Sequence, residues 1–93
     1  MTKIELVTAF AIEMGIAPKD ARSIVDTILD TMTEALTRGE GIELRGFCSF
    51  TVKYYKSYKG RNPKTSQPVT VKSKRLPYFK ASKELAEKVN RNR

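Results

Sequence analysis

The 93-residue chain has no histidine, no tryptophan and a single cysteine, Cys48. Without histidine, a Ser-His-Asp triad and a Cys/His zinc site are excluded, and one thiol cannot form an intramolecular disulfide. A lone thiol is typical of a reducing cytosol, where we expect Cys48 to be a small strand residue. We therefore predict that the protein is not an enzyme and holds no metal ion or other cofactor.

Long hydrophobic runs are also absent, and no segment reaches the roughly 20 apolar residues of a membrane span. The apolar run 6–12 lies between Glu5 and Glu13 without a basic segment before it, which does not match a signal peptide. A chain of 93 residues with 40% hydrophobic content can form one small folded domain. We expect a cytoplasmic protein with no membrane partner and no small-molecule substrate.

Acidic residues are missing between Glu43 and Glu84. Residues 1–52 carry five bases and eight acids, a net charge of −3, whereas residues 53–93 carry thirteen bases and two acids, a net charge of +11. A solvated surface normally mixes both signs, so this segregation predicts a polyanionic partner. The acid-free stretch contains eleven basic residues: Arg45, Lys53, Lys56, Lys59, Arg61, Lys64, Lys72, Lys74, Arg75, Lys80 and Lys83.

The first 39 residues have the pattern of a helical hairpin. Thr2 begins a capping-box motif and Gly15 ends the segment, which predicts a helix over 3–14. Pro18 suits the first turn of a second helix, which we expect to end at Gly39. That helix carries an apolar stripe at spacings of three and four: Ala21, Ile24, Val25, Ile28, Leu29, Met32, Ala35 and Leu36.

The rest of the chain has a strand pattern. It predicts a strand over 42–44, a turn at 45–46, a long strand over 47–58, a turn-rich segment over 60–68, a returning strand over 69–76, an extended piece over 78–80 and a helix over 83–90 capped by Ser82. The order ααβββα indicates an α+β fold with a helical hairpin, a three-stranded antiparallel sheet and a short C-terminal helix. We predict a single domain over 1–93.

The hairpin over 53–76 offers no continuous apolar face in this pattern, so we expect it to project as a β-ribbon arm from a body over 1–52 and 77–93. A body of about seventy residues is marginal for its own core, which favours an intertwined dimer with one shared core and two arms. For the tyrosines of this hairpin and the segment after it, we expect strand stiffening rather than base stacking: Tyr54, Tyr55, Tyr58 and Tyr78. The residues expected in the core or dimer interface are Ile28, Leu29, Met32, Leu36, Phe47, Phe50 and Phe79.

Three segments carry a resemblance to a known family: Gly-Phe-Cys-Ser-Phe over 46–50, Gly-Arg-Asn-Pro-Lys-Thr over 60–65 and Pro-Tyr-Phe-Lys over 77–80. They resemble the HU/IHF family of bacterial DNA-bending proteins, and the similarity extends over essentially the whole chain. The resemblance implies an obligate dimer whose two arms hold the minor groove of duplex DNA. It also implies that Pro63 wedges between base pairs, with Arg61 and Asn62 contacting the groove beside it.

The chain departs from that family's pattern at three places. Cys48 stands where a glycine is usual, and Ser66 replaces the usual glycine of the arm tip. Ala81 and Ser82 replace a Pro-Gly pair before the last helix, where a Ser82-capped helix start can still offer N–H groups to phosphate. The first two departures concern the geometry of the strands and the tip, where Ser66 predicts a stiffer or differently shaped turn. None of the three changes the expected DNA binding.

The expected function is an architectural, nucleoid-associated protein that bends and compacts DNA with low or moderate sequence preference. A site-specific IHF-like subunit, paired with itself or a paralogue, stays open as an alternative. A helix-turn-helix reader is disfavoured because the second helix is net negative, and the aromatic pattern of an RRM strand is absent. The predicted DNA-binding residues are Lys3, Arg45, Lys53, Lys56, Lys59, Arg61, Asn62, Pro63, Lys64, Lys72, Lys74, Arg75, Lys80, Ser82 and Lys83.

Overall fold

The computed structural model describes residues 1–91, which form three helices and five strands. The chain divides into two compact units, one over Met1–Ala35 and one that begins at Leu36. The predicted division into a body and an arm over 53–76 follows different boundaries and stays a prediction. None of the helices within residues 1–91 is long and apolar enough to cross a bilayer.

The first helix, α1 (Lys3–Met14), has both of the predicted caps. The Thr2 hydroxyl accepts a hydrogen bond from the Glu5 amide at 3.2 Å, which satisfies one of the free donors of the first turn. At the other end Gly15 adopts φ 64°, a left-handed conformation that glycine reaches without a steric cost. The helix bounds predicted from these local signals are confirmed.

The second helix, α2 (Pro18–Thr37), begins at the predicted proline and ends two residues before Gly39. Within the first unit, α1 and the first half of α2 form a small core. It consists of Val7, Ala11, Ala21 and Val25, with Phe10 and Ile16 packed against it. The four buried side chains are alanine and valine, so this core encloses little apolar volume.

The second unit contains β1 (Ile42–Leu44), β2 (Cys48–Tyr55), β3 (Tyr58–Arg61), β4 (Pro68–Val71), β5 (Lys74–Ala81) and α3 (Lys83–Arg91). The strands form an antiparallel sheet in the order β1-β2-β5 and a separate two-stranded ribbon of β3 and β4. The α+β class and the predicted three-stranded sheet are confirmed. The helix cap is also present, since Ser82 Oγ accepts from the Leu85 amide at 3.0 Å.

The prediction of two long uninterrupted strands was wrong, because each strand is divided into two. The strand predicted over 47–58 is divided at 56–57 into β2 and β3, and the returning strand over 69–76 is divided at 72–73 into β4 and β5. The piece predicted over 78–80 is the second half of β5 rather than a separate element. Both interruptions contain a lysine, which strands disfavour, and they lie opposite each other.

The strand register is the same on both sides of the interruption. Tyr55 pairs with Lys74 at the end of β2, and Tyr58 pairs with Val71 at the start of β3, so two residues on each strand are unpaired. No residue is inserted or lost on either side. The hairpin is therefore a single ribbon with one break, and its distal part is formed by β3, β4 and the loop over 62–67.

Most of the predicted core and interface residues are not enclosed by the single chain. Phe47 is 54% exposed and Phe79 50% exposed, and Ile28 and Leu29 are also exposed. The other three predicted residues are half-buried: Met32, Leu36 and Phe50. Cys48, at 3% exposure, is the only buried residue of the second unit among those described, and its predicted place in a strand is confirmed.

Candidate nucleic-acid interface

The two faces of the β2–β5 pair carry different side chains. Residues that pair across antiparallel strands share a face, and successive residues alternate between faces. One face contains buried Cys48 together with Phe50 and Phe79, whose rings lie 5.5 Å apart at 59°. The opposite face, which we call the sheet basic face, contains the exposed side chains of Lys53, Lys74 and Lys80.

The distal ribbon is sorted in the same way. Lys59 pairs with Thr70 and Arg61 pairs with Pro68, so both bases share one face, which we call the arm basic face. The other face brings together three apolar side chains: Tyr58, Val69 and Val71. This cluster is confined to the distal ribbon, where Tyr58 is 61% exposed and Val69 41% exposed, so it is not a continuous apolar face packed on a core. The two valines acquire Tyr58 as a neighbour only through cross-strand pairing.

The tip of the arm is a compact turn built around Asn62. Its amide donates to the Gln67 carbonyl at 2.9 Å, its carbonyl accepts from the Ser66 amide at 2.7 Å, and its Oδ1 accepts from the Lys64 amide at 2.9 Å. An asparagine side chain that bonds the backbone two residues onward stabilises such a turn. Asn62 is half-buried and holds the turn, while its neighbour Pro63 is exposed at the corner.

Ser66 has a backbone conformation that glycine normally supplies. Its φ is 58°, the only positive φ of a residue other than glycine in the part of the chain that the structure describes. The turn therefore keeps a left-handed position although the side chain has changed. A non-glycine residue there costs about 1–2 kcal/mol, and the hydrogen bond from the Ser66 amide to the Asn62 carbonyl helps to offset this cost.

One lysine of the sheet basic face has an aromatic partner. Lys53 Nζ lies 3.6 Å from the centre of the Tyr78 ring, within the range of a cation–π contact. The sequence pattern did not indicate this pair, because the two residues are 25 positions apart in the chain. Alternation along two paired strands is the signal that brings them together, and it requires the register to be known.

Two basic residues of the predicted set contact protein oxygen atoms through their charged groups. Arg75 lies on the face opposite Lys74, and its guanidinium donates to the Thr37 carbonyl at the end of α2 at 3.3 Å. Lys3, in the first unit, forms an ion pair of 2.5 Å with Asp26. A role in DNA binding stays a prediction for both residues, and for Arg75 the bond to Thr37 favours a structural role instead. For Lys3, DNA binding requires exchange of a carboxylate for a phosphate.

Another charged pair lies after α2 and is separate from the predicted site. Arg38 bonds Glu40 through two nitrogens, Nε at 3.2 Å and Nη2 at 3.3 Å. These hydrogen bonds, and then the positive charge of the guanidinium, lower the pKa of the Glu40 carboxyl. The lowered pKa favours the ionised form of Glu40, which maintains the ion pair with Arg38.

The remaining predicted residues occupy three places in the second unit. Lys56 and Lys72 lie in the strand interruption and Lys64 in the tip loop, all with exposed side chains. Arg45, Ser82 and Lys83 line an open cavity of about 840 Å³ with Lys80 and residues of β1 and β2. The Ser82 amide donates to the Phe47 carbonyl at 2.9 Å, which fixes the start of α3 against the turn before β2.

Sequence reasoning missed two bases of the first unit. Lys19 and Arg22 line a groove of about 350 Å³ together with Lys3, on the first turns of α1 and α2. Their spacing of three residues puts them on one side of a helix, which was a readable signal. It was overlooked because α2 as a whole is net negative.

The fold and the charged ribbon define the class as a small nucleic-acid-binding protein, and comparison with known proteins specifies it. A family model described as bacterial DNA-binding protein matches residues 1–90. DNA-binding protein HU of Thermotoga maritima is 46% identical over 89 residues, covering 96% of this chain and 99% of that protein. Integration host factor subunit beta of Dechloromonas aromatica is 48% identical over 91 residues, covering 97% of each chain.

Solved structures agree with these relatives. The chain matches HU in an Anabaena HU–DNA cocrystal structure with a TM-score of 0.87 and 38% identity, covering 96% of this chain and 97% of that one. It also matches HU from Thermotoga maritima with a TM-score of 0.68 and 37% identity, covering 96% and 98%. The chain therefore belongs to the HU/IHF family and is a DNA-binding architectural protein.

Proposed function

We propose that two copies of this chain form a dimer that binds duplex DNA through the minor groove and bends or compacts it, with low or moderate sequence preference. The observation that carries the proposal is the β-ribbon, whose sheet and arm basic faces lead to an exposed proline at the tip. The protein would act in the cytoplasm on the nucleoid, and it would act by binding rather than by catalysis.

The charges suit a phosphate backbone rather than base edges. The bases of the sheet basic face are all lysines, which act as mobile point charges and carry no sequence information. No acidic residue occurs between Glu43 and Glu84 to neutralise them. A ribbon of this kind can follow a groove and contact phosphates on both sides, and its affinity then depends on the release of counterions.

Pro63 is proposed as the wedge that kinks the duplex. It is apolar, exposed and rigid, and it has no N–H that would be left unsatisfied between bases. The hydrogen bonds of Asn62 hold the turn beside it in a defined conformation. Unstacking one base step costs a few kcal/mol, which additional phosphate contacts along the bent DNA offset.

The dimer is supported by the small core of the single chain. Residues 1–91 contain only five buried hydrophobic residues and no large side chain that is fully buried. Exposed aromatic and aliphatic residues such as Phe47, Phe79 and Ile28 would be covered by a second copy. Since each copy brings one β-ribbon, a dimer presents two wedges to one duplex.

Site-specific binding as one subunit of an IHF-like pair is a second candidate. It is favoured by the close similarity to integration host factor subunit beta, at 48% identity, beside 46% identity to an HU protein. The two candidates share the β-ribbon and the wedge, and they differ in whether the purified chain is self-sufficient and whether it discriminates between sequences.

The test is a gel-shift series with the purified chain on linear, nicked and defined-sequence duplexes at several salt concentrations. We expect binding without a second protein, preference for the easily bent nicked duplex, and little difference between linear sequences. Log affinity should fall with log salt with a slope of about −4 or steeper, since at least five ribbon bases contact phosphate and each contributes about −0.9.

Each alternative has its own outcome in the same series. A flat salt response would exclude the lysine ribbon as the main contact. Failure to bind alone, with recovery on addition of a paralogue, would favour the heterodimer subunit. Equal competition by duplex RNA, whose deep and narrow major groove and wide minor groove differ from those of DNA, would contradict minor-groove recognition of DNA.

A further inference from the structure

One contact on the sheet basic face is not explained by the proposed function. Tyr78 lies on the face that carries Lys53, Lys74 and Lys80, away from the buried Cys48. Its side chain is 47% exposed, so it contributes little to the hydrophobic core. Its ring instead lies under the Lys53 ammonium, with Nζ 3.6 Å from the ring centre.

We propose that Tyr78 is a positioning residue for DNA binding, and that its ring holds the Lys53 ammonium ready for a phosphate. This inference rests on the proposed function and adds a residue to it. Lys53 pairs with Leu76 and Tyr78 with Thr51, so the two side chains are diagonal neighbours on paired strands. At that separation an aromatic ring and a long side chain can reach each other.

An aromatic ring is better suited than a carboxylate to hold the Lys53 ammonium ready for a phosphate. A carboxylate would cancel the charge of Lys53 and would have to be displaced before a phosphate could bind, as Asp26 must be displaced from Lys3. The ring attracts the ammonium through its quadrupole and leaves the full positive charge available. Among residues 1–91, neither of the two ion pairs involves Lys53.

The contact with the ring should reduce the conformational entropy that Lys53 loses when it binds a phosphate. A lysine side chain has four rotatable carbon–carbon bonds and loses conformational freedom when it is fixed on a ligand. A lysine already held over a ring has lost part of that freedom in the free protein. Its phosphate contact is therefore more favourable than that of a freely moving lysine on the same face.

The experiment is a double-mutant cycle on DNA affinity with Tyr78→Leu and Lys53→Met. We expect Tyr78→Leu to weaken binding about two- to fivefold, the range of an exposed cation–π contact. The same substitution in the Lys53→Met background should have no further effect. Tyr78→Phe, which keeps the ring, should bind as the unmodified chain does.

The salt dependence separates positioning from loss of charge. Lys53→Met should reduce the slope of log affinity against log salt by about two, because each copy in the dimer loses a phosphate contact that contributes about 0.9. Tyr78→Leu should leave the slope unchanged because the ammonium is still present. Tyr55→Leu is the matched control. Tyr55 is a tyrosine of the same face with 45% exposure, and its effect should not depend on Lys53.

Three results would overturn the inference: no loss of affinity with Tyr78→Leu, the same loss in the Lys53→Met background, or an equal loss with Tyr78→Phe. Thermal unfolding of each variant, which should match that of the unmodified chain within a few degrees, identifies a folding defect. In that event Tyr78→Met, which keeps an apolar side chain of similar length without a ring, replaces Tyr78→Leu in the cycle. If the unmodified chain does not bind duplex DNA, the proposed function itself fails, which is a distinct result.

Discussion

At the scale of the residue, Pro63 is the side chain that we expect to control the bend of the bound DNA. The ring is exposed at the corner of the tip, and no backbone hydrogen bond of the turn requires a proline there. Its removal should therefore change the bent state of the DNA without unfolding the arm. Affinity comes mainly from the lysines, which the substitution leaves in place.

We expect Pro63→Ala to lower the DNA bend by roughly tens of degrees while the dissociation constant changes by less than about tenfold. Fluorescence transfer between dyes at the ends of a short duplex measures the bend, and a titration of the same duplex measures affinity. Pro68→Ala, at the start of β4 and also exposed, is the control and should leave the bend unchanged. Equal bending by Pro63→Ala and the unmodified chain would contradict the wedge.

Ser66 shows that a substitution can preserve a backbone conformation. The change from the usual glycine suggested a stiffer or altered tip, but the turn retains a left-handed residue at φ 58°. The hydrogen bonds around Asn62 impose that conformation against the steric preference of a serine. The sequence shows that residue 66 departs from the usual glycine. Only the structure of the turn shows that the backbone there is still left-handed.

At the scale of the element, β5 places two neighbouring bases on opposite faces of the sheet. Lys74 lies on the sheet basic face, whereas Arg75 lies on the opposite face and donates to the Thr37 carbonyl at the end of α2. The last carbonyls of a helix lack partners within the helix, so this bond satisfies one of them. The sequence places both bases in one basic stretch, but the strand assigns them to different faces.

We expect Arg75→Met to lower the free energy of unfolding by about 1 kcal/mol, the contribution of one hydrogen bond, with an unchanged salt slope of DNA binding. Lys74→Met should do the reverse, reducing the slope by about two, about one for each copy in the dimer, and leaving stability unchanged. Urea unfolding and salt-dependent titrations measure the two quantities. Identical behaviour of the two variants would show that the alternation of faces does not control function.

At the scale of the whole molecule, the single chain exposes more apolar surface than a small stable protein normally does. Phe47 and Phe79 are about half exposed, and the buried residues of the helical unit are small. A core of this size does not by itself support a folded domain of about ninety residues. We therefore expect the stability of the fold to depend on association of two copies.

The midpoint of thermal unfolding should therefore rise with protein concentration, by roughly 4 °C for each tenfold increase in a dimer of this length. Calorimetry or circular dichroism over a hundredfold concentration range measures the shift. Phe79→Ser should lower the midpoint strongly, while Lys88→Ser on the exposed α3 should not. A midpoint independent of concentration, together with the mass of one chain in solution, would contradict the dimer.

The sequence by itself determined the helix ends, the α+β class, the segregation of charge and the family. These follow from local interactions: Thr2 and Ser82 cap their helices through bonds to residues three positions away. The tip motif is likewise contiguous in the chain.

Tertiary structure alone decided which bases share a face, because faces depend on register between distant residues. It set the strand interruption, assigned Arg75 to α2 and brought Tyr78 under Lys53. The last two of these are contacts between residues 38 and 25 positions apart, to which no local propensity or periodicity refers.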